Sequence, residues 1–380
     1  MRIDLAEALF NAALVGGSGG GSVTVQPLSV SSNGTYSAPS GVAYSPVDVA
    51  VPMPSGTITL SANGTFNVAS FESALVNVSG GGDNKEAGII MRTISGAYTN
   101  AEVSGIIGSY AFMRCTSLNE VNFPNATEVS DHAFDGCNHL TKASFPNVTK
   151  VGQVAFGLCS LSEATFPSAT WLRASAFASC SYLTSVSFPN VTSLEVATFL
   201  ACSRLTSADF PAFSSNSMPN SLFFSCSSLV SATGFSNVSF IGNGAFQYCV
   251  ELLEANFPHV TSIGNGVFNS CAKLSSVNFP ELITMGTSAF TKCSSLRTIS
   301  LPKISSFPAN AFSWCDKLYS VYLMGSSKVT LASTSVFAAT PIVSGYHSEP
   351  YGSVFVPSSL YATYTADSVW GLLASRIVSM

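Results

Sequence analysis

Ten cysteines have the most evident chemical potential in this sequence, because thiolates bind metal ions and pairs of thiols form disulfides. Zinc sites take cysteines in pairs only a few residues apart, whereas each cysteine here is more than twenty residues from the next. We therefore predict a column of equivalent, buried, reduced thiols, in which neighbours could oxidise only if the column geometry allowed it. The cysteines stand at positions 115, 137, 159, 180, 202, 226, 249, 271, 293 and 315.

The histidines offer no recognisable catalytic arrangement. His132, His139 and His259 occupy positions outside the predicted core of their repeats, which predicts solvated loop residues, and His347 lies beyond the repeats. The sequence contains no H-E-x-x-H or G-x-x-x-x-G-K-[ST] motif. We therefore expect no catalytic residue, no metal ligand and no cofactor, and we predict that the chain is not an enzyme.

The elements that must position the thiols form a repeat of about 22 residues. A phenylalanine stands three residues before every cysteine and an apolar residue eight before it, as in IGSYAFMRC (107–115) and IGNGAFQYC (241–249). A leucine follows three residues after each cysteine except Cys159, where Leu161 comes one residue early. The step from Cys159 to Cys180 is also one residue short, so a single deletion explains both departures.

Each repeat continues with a strand-like segment such as LNEVNFP (118–124). Side chains alternate along a strand, so Val121 and Phe123 should point to one face and Glu120 and Asn122 to the other. The proline that follows ends the strand, because it lacks the N–H that a ladder needs. One such coil is too thin to bury its own phenylalanine and leucine, and only stacking on neighbouring coils removes them from water.

These residues resemble the BspA-type leucine-rich repeats, whose copies follow the pattern I-x-x-x-A-F-x-x-C-x-x-L-x-x-[IV]-x-[LF]-P. The resemblance covers residues 105–340 and implies a mainly β solenoid of about ten coils. The commoner leucine-rich consensus has Asn or Cys just after the strand, where Ala126, Val148 or Val191 stand here, so helical backs are not implied. BspA-type proteins are generally regarded as bacterial surface or secreted adhesins.

Glycine-rich and turn-rich segments divide the rest of the chain. We predict a helix and a Gly/Ser tether in residues 1–22, two small β modules in 23–82, and a linker with an N-terminal cap in 83–104. The modules begin at the Asn-Gly turns NGTY and NGTF, at Asn33 and Asn63. Residues 341–380 are predicted to cap the open end of the array, with Trp370, Leu372 and Ile377 covering it.

The N-terminal segment has an apolar stripe formed by Leu5, Leu9, Phe10 and Leu14. We interpret it as an amphipathic helix that anchors the chain to other proteins and makes it a homo-oligomer. A cleaved leader is the alternative, although the acidic Asp4 and Glu7 lie where a positive region would be expected.

The composition limits the possible partners. Only 9% of residues are charged and the net charge is −5, with no basic run, so we expect no nucleic-acid binding. No apolar stretch is long enough to span a bilayer, so we expect no membrane insertion.

The order of anchor, tether, β modules and repeats suits an attached appendage. The NGTY and NGTF modules resemble those of phage tail and fibre proteins, and the first hypothesis is therefore a non-enzymatic virion protein that recognises a host surface. It would be assembled in the bacterial cytoplasm and would bind other virion proteins through its N-terminus. The alternative is a bacterial surface or secreted BspA-like adhesin that binds a host protein or glycan; an intracellular scaffold is a third possibility.

The outward columns of the predicted sheet are mostly serine, threonine and asparagine, whereas interfaces are anchored by tyrosine, tryptophan and arginine. Aromatic residues gather instead near the C-terminal end of the repeats. We therefore predict a recognition tip in the last coils and the cap. Its candidate ligand-binding residues are Trp314, Tyr319, Tyr322, Tyr346 and Tyr351.

Overall fold

The structure is a computed structural model of the 380-residue chain. It describes residues 105–343, apart from 110 and 117, and residues 351–380. Before residue 105 it describes the backbone of seven short strands only. The predicted N-terminal helix with Leu5, Leu9, Phe10 and Leu14 lies outside the described residues, as do His347 and Tyr346.

The chain divides into two compact units. The N-terminal unit comprises residues 1–183 and 188–191, and the C-terminal unit comprises residues 184–187 and 192–380. The strands of the N-terminal unit are β1 (Thr24–Pro27), β2 (Gly34–Ser37), β3 (Val42–Ser45), β4 (Ile58–Leu60), β5 (Thr65–Val68), β6 (Val76–Val78), β7 (Gly96–Thr99), β8 (Ile106–Ile107), β9 (Leu118–Asn122), β10 (Glu128–Val129), β11 (Lys142–Ser144), β12 (Lys150–Val151), β13 (Glu163–Thr165) and β14 (Trp171–Leu172).

The C-terminal unit continues with the same kinds of short strand and ends in a few helical turns. Its strands are β15 (Ser185–Ser187), β16 (Ser193–Leu194), β17 (Ser207–Asp209), β18 (Ser217–Met218), β19 (Ser231–Thr233), β20 (Phe240–Ile241), β21 (Glu254–Asn256), β22 (Ser262–Ile263), β23 (Ser276–Asn278), β24 (Thr284–Met285), β25 (Thr298–Ser300), β26 (Ser306–Phe307), β27 (Ser320–Tyr322), β28 (Thr330–Leu331), β29 (Ser353–Val356) and β30 (Ile377–Ser379). Its helical elements are 3-10 helices at Thr334–Phe337, Ser358–Leu360 and Trp370–Arg376, and α1 at Tyr361–Thr365.

The strands that precede the repeats pair across the two predicted modules. Strand β1 pairs with β3 in parallel, and β4 pairs with β6 in parallel. The two NGT strands, β2 and β5, pair with each other in an antiparallel arrangement, with Tyr36 opposite Phe66. The valine-rich strand β6 lies within the second predicted module.

Each unit contains a β-solenoid of stacked coils, as the repeat predicted. A coil has two short strands, and each pairs in parallel with the equivalent strand of the next coil. In the N-terminal unit, β7, β9, β11 and β13 form one parallel sheet, and β8, β10, β12 and β14 form another. In the C-terminal unit, the sheets are β15–β17–β19, β18–β20–β22–β24, β21–β23, β25–β27–β29–β30 and β26–β28.

Two columns of phenylalanine fill the interior of the coils. One column is the phenylalanine three residues before each cysteine, and its rings stack in parallel: Phe134 lies 4.9 Å from Phe112 and 5.1 Å from Phe156 between ring centroids. The other is the phenylalanine before each proline, and Phe145 of this column meets Phe156 edge to face at 5.6 Å. Offset and edge-to-face ring pairs stabilise a core by more than the burial of their apolar area alone. The alternation of the two phenylalanine columns therefore adds to the stability of the array.

One coil departs from this register. Phe235 stands one residue later than its equivalents, and the inserted Gly234 has a positive φ of 94°. A Cβ at this position would lie 2.1 Å from the carbonyl oxygen of Phe210. Only glycine fits so close an approach, and its presence lets Phe235 reach the core column.

The C-terminal segment closes the last coil partly as predicted. Trp370 and Ile377 are buried, and the indole N–H of Trp370 donates to the carbonyl of Val329 at 2.7 Å. The prediction for Leu372 was wrong, because its side chain is 72% exposed and the adjacent Leu373 is buried instead. Residues Trp370–Arg376 form a tight 3-10 helix, which points the side chain of Leu372 outward. The alternation of side chains along a strand does not predict this orientation.

Candidate functional site

The cysteines lie in the core, and eight of them donate a hydrogen bond to the preceding coil. All ten are buried free thiols. The Sγ of Cys137 donates to the carbonyl of Phe112 in the preceding coil at 2.9 Å, and Cys249 donates to Phe223 at 3.1 Å. The same bond joins Cys159 to Phe134, Cys180 to Phe156, Cys226 to Phe199, Cys271 to Phe246, Cys293 to Phe268 and Cys315 to Phe290.

Burial makes five of these thiols poor nucleophiles, whereas at Cys137 hydrogen bonds with Cys115 and Cys159 outweigh burial and lower the pKa to about 5. Desolvation raises the pKa of the thiols of Cys159, Cys226, Cys249, Cys271 and Cys293 above the ordinary cysteine value. The reactive species of cysteine is the thiolate, and an apolar site disfavours it. The cysteine column therefore serves the packing of the coils, which is the role the regular spacing predicted.

The turn around each cysteine has left-handed backbone at two positions. The residue just before the cysteine has positive φ in every coil, from Arg114 (58°) to Trp314 (61°), and so does the residue five before it, from His132 (57°) to Asn310 (58°). Most of these residues are not glycine, although this conformation costs an L-residue roughly 1–2 kcal/mol. Hydrogen bonds to the next coil offset the cost, as where the N–H of Leu158 donates to Ala178 at 2.9 Å.

This backbone also explains the one wrong prediction among the histidines. His139 and His259 are exposed as expected, but His132 is only 8% exposed. The left-handed turn brings its Nδ1 to 3.0 Å from the Oδ2 of Asp135, which is also buried. The pair lies inside a structural turn, so His132 is a buried hydrogen-bonding residue of the coil.

Most outward positions of the larger strands are small and polar, as the sequence predicted. The exposed columns of β15 and β17 are Ser185 beside Ser207 and Ser187 beside Asp209. Such a surface has hydroxyls for water and few groups that anchor a partner.

The outer face of the sheet β25–β27–β29–β30 differs from this pattern, and we call it the C-terminal sheet face. Tyr322 of β27 lies opposite Phe355 of β29, and Phe355 lies opposite Val378 of β30. The rings of Tyr322 and Phe355 stack at 4.6 Å between centroids with planes 10° apart. All three side chains retain contact with solvent, so an apolar row crosses this face.

An arginine and a second tyrosine extend the C-terminal sheet face. The guanidinium of Arg376 lies 3.5 Å from the ring centroid of Tyr351, which is 57% exposed. The cation–π contact fixes both side chains next to the starts of β29 and β30 without burying either. Fixed aromatic and arginine side chains are the groups that most often anchor interfaces, because little side-chain entropy is lost on binding.

The structure brings only some of the predicted ligand-binding residues together. Tyr322 and Tyr351 lie on the C-terminal sheet face, and half-buried Tyr319 joins it through its carbonyl, which accepts from the N–H of Ser353 at 2.8 Å. Trp314 is 54% exposed but lies in the cysteine turn of its coil.

Sequence reasoning missed Phe355 and Arg376. Phe355 could have been found from the repeat: Pro357 marks the end of its strand, the residue before that proline points inward, and the one before it must point outward. Arg376 had no such signal, because a 3-10 turn positions it.

A second cluster of large side chains lies on the N-terminal unit, and the sequence did not predict it. Along β10, β12 and β14, Lys150 donates to Glu128 at 2.7 Å and its Nζ lies 5.5 Å from the ring centroid of Trp171. Arg173 binds both carboxylate oxygens of Asp131, at 2.7 and 3.0 Å, and lies 5.8 Å from the same ring. These charged side chains form ion pairs with one another, so the main role of the cluster is to stabilise the packing of neighbouring coils.

The described residues show no cluster of His, Cys, Asp and Glu side chains that could hold a metal ion. Among the same residues, no helix has the length and the apolar character needed to cross a bilayer.

A family model described as "BspA type Leucine rich repeat region (6 copies)" matches the chain over residues 105–230, 149–259 and 239–349. These matches overlap and cover more than half of the chain. The chain belongs to the BspA-type leucine-rich repeat family. The matches agree with the coils of both units, and none includes the β modules before residue 105. A search of curated proteins finds no significant match.

Several solved structures are similar to this BspA-type chain. A leucine-rich repeat protein from Bacteroides ovatus has 18% identity and a TM-score of 0.46, and the alignment covers 85% of this chain and 92% of that one. A leucine-rich cell surface protein from Faecalibacterium prausnitzii has 20% identity and a TM-score of 0.38, covering 75% and 86%. The pneumococcal vaccine antigen PcpA has 14% identity and a TM-score of 0.46, covering 88% and 90%.

Proposed function

We propose that this chain is a non-enzymatic adhesion protein, displayed at a bacterial surface or secreted, that binds a host protein or glycan through the outside of its coils. The observation that carries the proposal is the division between interior and surface. Phenylalanine, leucine and cysteine occupy the interior of every coil, so binding is left to the outward positions. Membership of the BspA-type family supports the same function.

The C-terminal sheet face is the part of the described surface best suited to this role. It combines the Tyr322–Phe355 stack with the Tyr351–Arg376 contact, whereas the equivalent positions of β15 and β17 hold serine and aspartate. A partner that covered this face would desolvate aromatic rings that are already ordered.

The first hypothesis from the sequence, a phage virion appendage, has less support. It rests on the NGTY and NGTF modules, and the family match does not reach them. The adhesin, which the sequence ranked second, agrees with the family match over most of the chain. We therefore favour a location at the cell surface or outside the cell.

Binding of the fluorescently labelled full chain to cultured epithelial cells tests the proposal. Saturable binding is expected, and Tyr322→Ser combined with Phe355→Ser should weaken it at least tenfold. The matched control is Ser187→Ala combined with Asp209→Ser, which changes the equivalent outward positions of β15 and β17 and should leave binding unchanged. Equal binding by the two double variants would refute the role of the C-terminal sheet face.

Location is tested separately on the organism that makes the protein. An antibody against the chain should label intact bacterial cells or detect the protein in culture medium. Recovery of the chain only in purified phage particles would overturn the adhesin and restore the virion hypothesis.

A further inference from the structure

Four successive coils of the C-terminal unit present a narrow strip of side chains from the turn before the cysteine. The strip consists of Tyr248, Ser270, Lys292 and Trp314. Every one has a left-handed backbone, with φ between 61° and 64°. The backbone there would favour glycine or asparagine, and the same position elsewhere in the chain often holds a small residue.

The large side chains of the strip expose much of their surface to solvent. Trp314 is 54% exposed, Tyr248 is 40% exposed, and Lys292 is exposed too. Bulky residues kept at strained, solvent-facing positions indicate a role other than folding. The ring of Tyr248 is held by an edge-to-face contact with Phe224 at 5.4 Å.

Backbone hydrogen bonds hold the strip in register. The N–H of Tyr248 donates to Asn269 at 2.8 Å, that of Ser270 to Thr291 at 2.8 Å, and that of Lys292 to Ser313 at 2.9 Å. Each bond joins the turn of one coil to the turn of the next, so successive members are about one strand spacing, ~4.8 Å, apart. The two aromatic residues are therefore roughly 14 Å apart, with a hydroxyl and an ammonium group between them.

Two lysines, one in the strip and one near it in the sequence, form no ion pair with a described carboxylate. Lys273 pairs with Glu251 at 2.6 Å, whereas neither Lys292 nor Lys317 forms an ion pair with a described residue. Asp316 is the one acidic residue between Trp314 and Lys317 in the sequence. An anion lying along the strip would find an ammonium group one coil away from the indole.

We propose that this strip binds a linear glycan that carries carboxylate groups, such as a uronate polysaccharide. The inference deepens the proposed adhesion function and rests on it. Pyranose rings present C–H faces that stack on exposed aromatic rings, and an extended glycan advances by about one coil spacing for each sugar. Lys292 would bind a carboxylate, while Tyr248 and Trp314 would stack on sugars to either side. A protein partner fits less well, because stable interfaces need a broad apolar core and this strip is one residue wide.

The test measures binding of the full chain to hyaluronan and oligogalacturonate by isothermal calorimetry, with carboxyl-reduced forms of both as the neutral comparison. Trp314→Gly should weaken binding at least tenfold while leaving the unfolding midpoint unchanged or higher, since glycine relieves the backbone. Lys292→Gln should remove the preference for the carboxylated form. Two controls should behave as the parent: Leu158→Gly, at the same turn position in the N-terminal unit, and Lys273→Gln, at a lysine that is already paired.

Parent-like binding by Trp314→Gly, or an undiminished preference for carboxylate in Lys292→Gln, would overturn the proposal. Failure of the parent chain to bind either polysaccharide would also overturn it. If the parent nevertheless binds epithelial cells, only the glycan assignment fails and the adhesion proposal stands. A parent chain that binds neither cells nor polysaccharides would refute both.

Discussion

The N-terminal and C-terminal units build the same interior and stabilise the outside of their coils with different chemistry. In one coil of the N-terminal unit and three coils of the C-terminal unit, the side chain six residues before the cysteine accepts a backbone N–H from the next coil. In the N-terminal unit this acceptor is the carboxylate of Asp131, which binds the N–H of Gln153 at 2.8 Å and the guanidinium of Arg173. In the C-terminal unit it is a run of amides: Asn220 accepts from Asn243, Asn243 from Asn265, and Asn265 from Thr287, at 2.7 to 2.9 Å.

This difference shows which features a repeat requires and which it leaves free. A side-chain acceptor at that position is not obligatory, because Ala174, Val196 and Ala309 stand there in other coils. Where an acceptor is present, the fold of the coil does not determine whether that acceptor is charged. The carboxylate acceptor adds an ion pair, whose contribution to stability depends on salt concentration. The amide acceptors form a neutral ladder of hydrogen bonds that can continue through any number of coils.

Truncation of a core phenylalanine should have the largest effect, and the effect should be similar in the two units. Phe156 and Phe268 are both fully buried, with a stacked ring on either side. Phe156→Ala and Phe268→Ala should each lower the free energy of unfolding by about 3–5 kcal/mol. Urea denaturation monitored by far-ultraviolet circular dichroism measures both. A difference of more than about 2 kcal/mol would show that the interiors are not equivalent.

Alkaline pH should destabilise both units, because the folded state keeps buried thiols protonated. Burial raises the pKa of Cys159 in the N-terminal unit and of Cys226, Cys249, Cys271 and Cys293 in the C-terminal unit. In the unfolded chain these thiols ionise near pH 9, so above that pH the unfolded state binds fewer protons and stability falls as pH rises. Below about pH 8 these five thiols contribute no pH dependence.

Thermal denaturation between pH 7 and pH 10 checks this expectation. Cys249→Ala should flatten the alkaline part of the profile while lowering the melting temperature at pH 7, because it leaves a small cavity and removes one of the two hydrogen bonds that the Phe223 carbonyl accepts. An unchanged profile would mean that Cys249 does not contribute to the alkaline loss.

Exchanging the acceptors between the units should have a smaller effect. Asp131→Asn keeps an oxygen for the N–H of Gln153 but loses the ion pair with Arg173, so stability should fall by about 0.5–1 kcal/mol at low salt and by less at 1 M salt. Asn243→Asp places a charge in the amide ladder without a cation and should also destabilise, with salt reducing the loss. Urea denaturation at two salt concentrations measures both, and salt-independent losses would contradict the assignment of the difference to charge.

The sequence predicted the interior of the coils far better than their surface. Spacing alone was enough to assign the phenylalanine and cysteine columns, because stacking forces equivalent residues of successive coils into line. It did not predict the buried His132, because a left-handed turn rather than a strand sets its direction. It grouped Trp314 with Tyr322, although the two lie in different parts of the coil. Phe355 and Arg376 were missed, because the capping segment leaves the repeat and its local turns decide which side chains are exposed.

The smallest effect concerns the left-handed turn itself, and it compares the same position in the two units. Leu158 is half exposed, so Leu158→Gly should relieve backbone strain and lose little packing, giving a change within about 0.5 kcal/mol of zero. Tyr248→Gly relieves the same strain but also loses the contact with Phe224, and should be less stable than Leu158→Gly by about 0.5–1 kcal/mol. Differential scanning calorimetry of both variants and of Phe224→Ala measures this difference. If Tyr248→Gly is no less stable than Leu158→Gly, the Phe224 contact does not hold the tyrosine ring. In that case the ring would have to be ordered by its ligand.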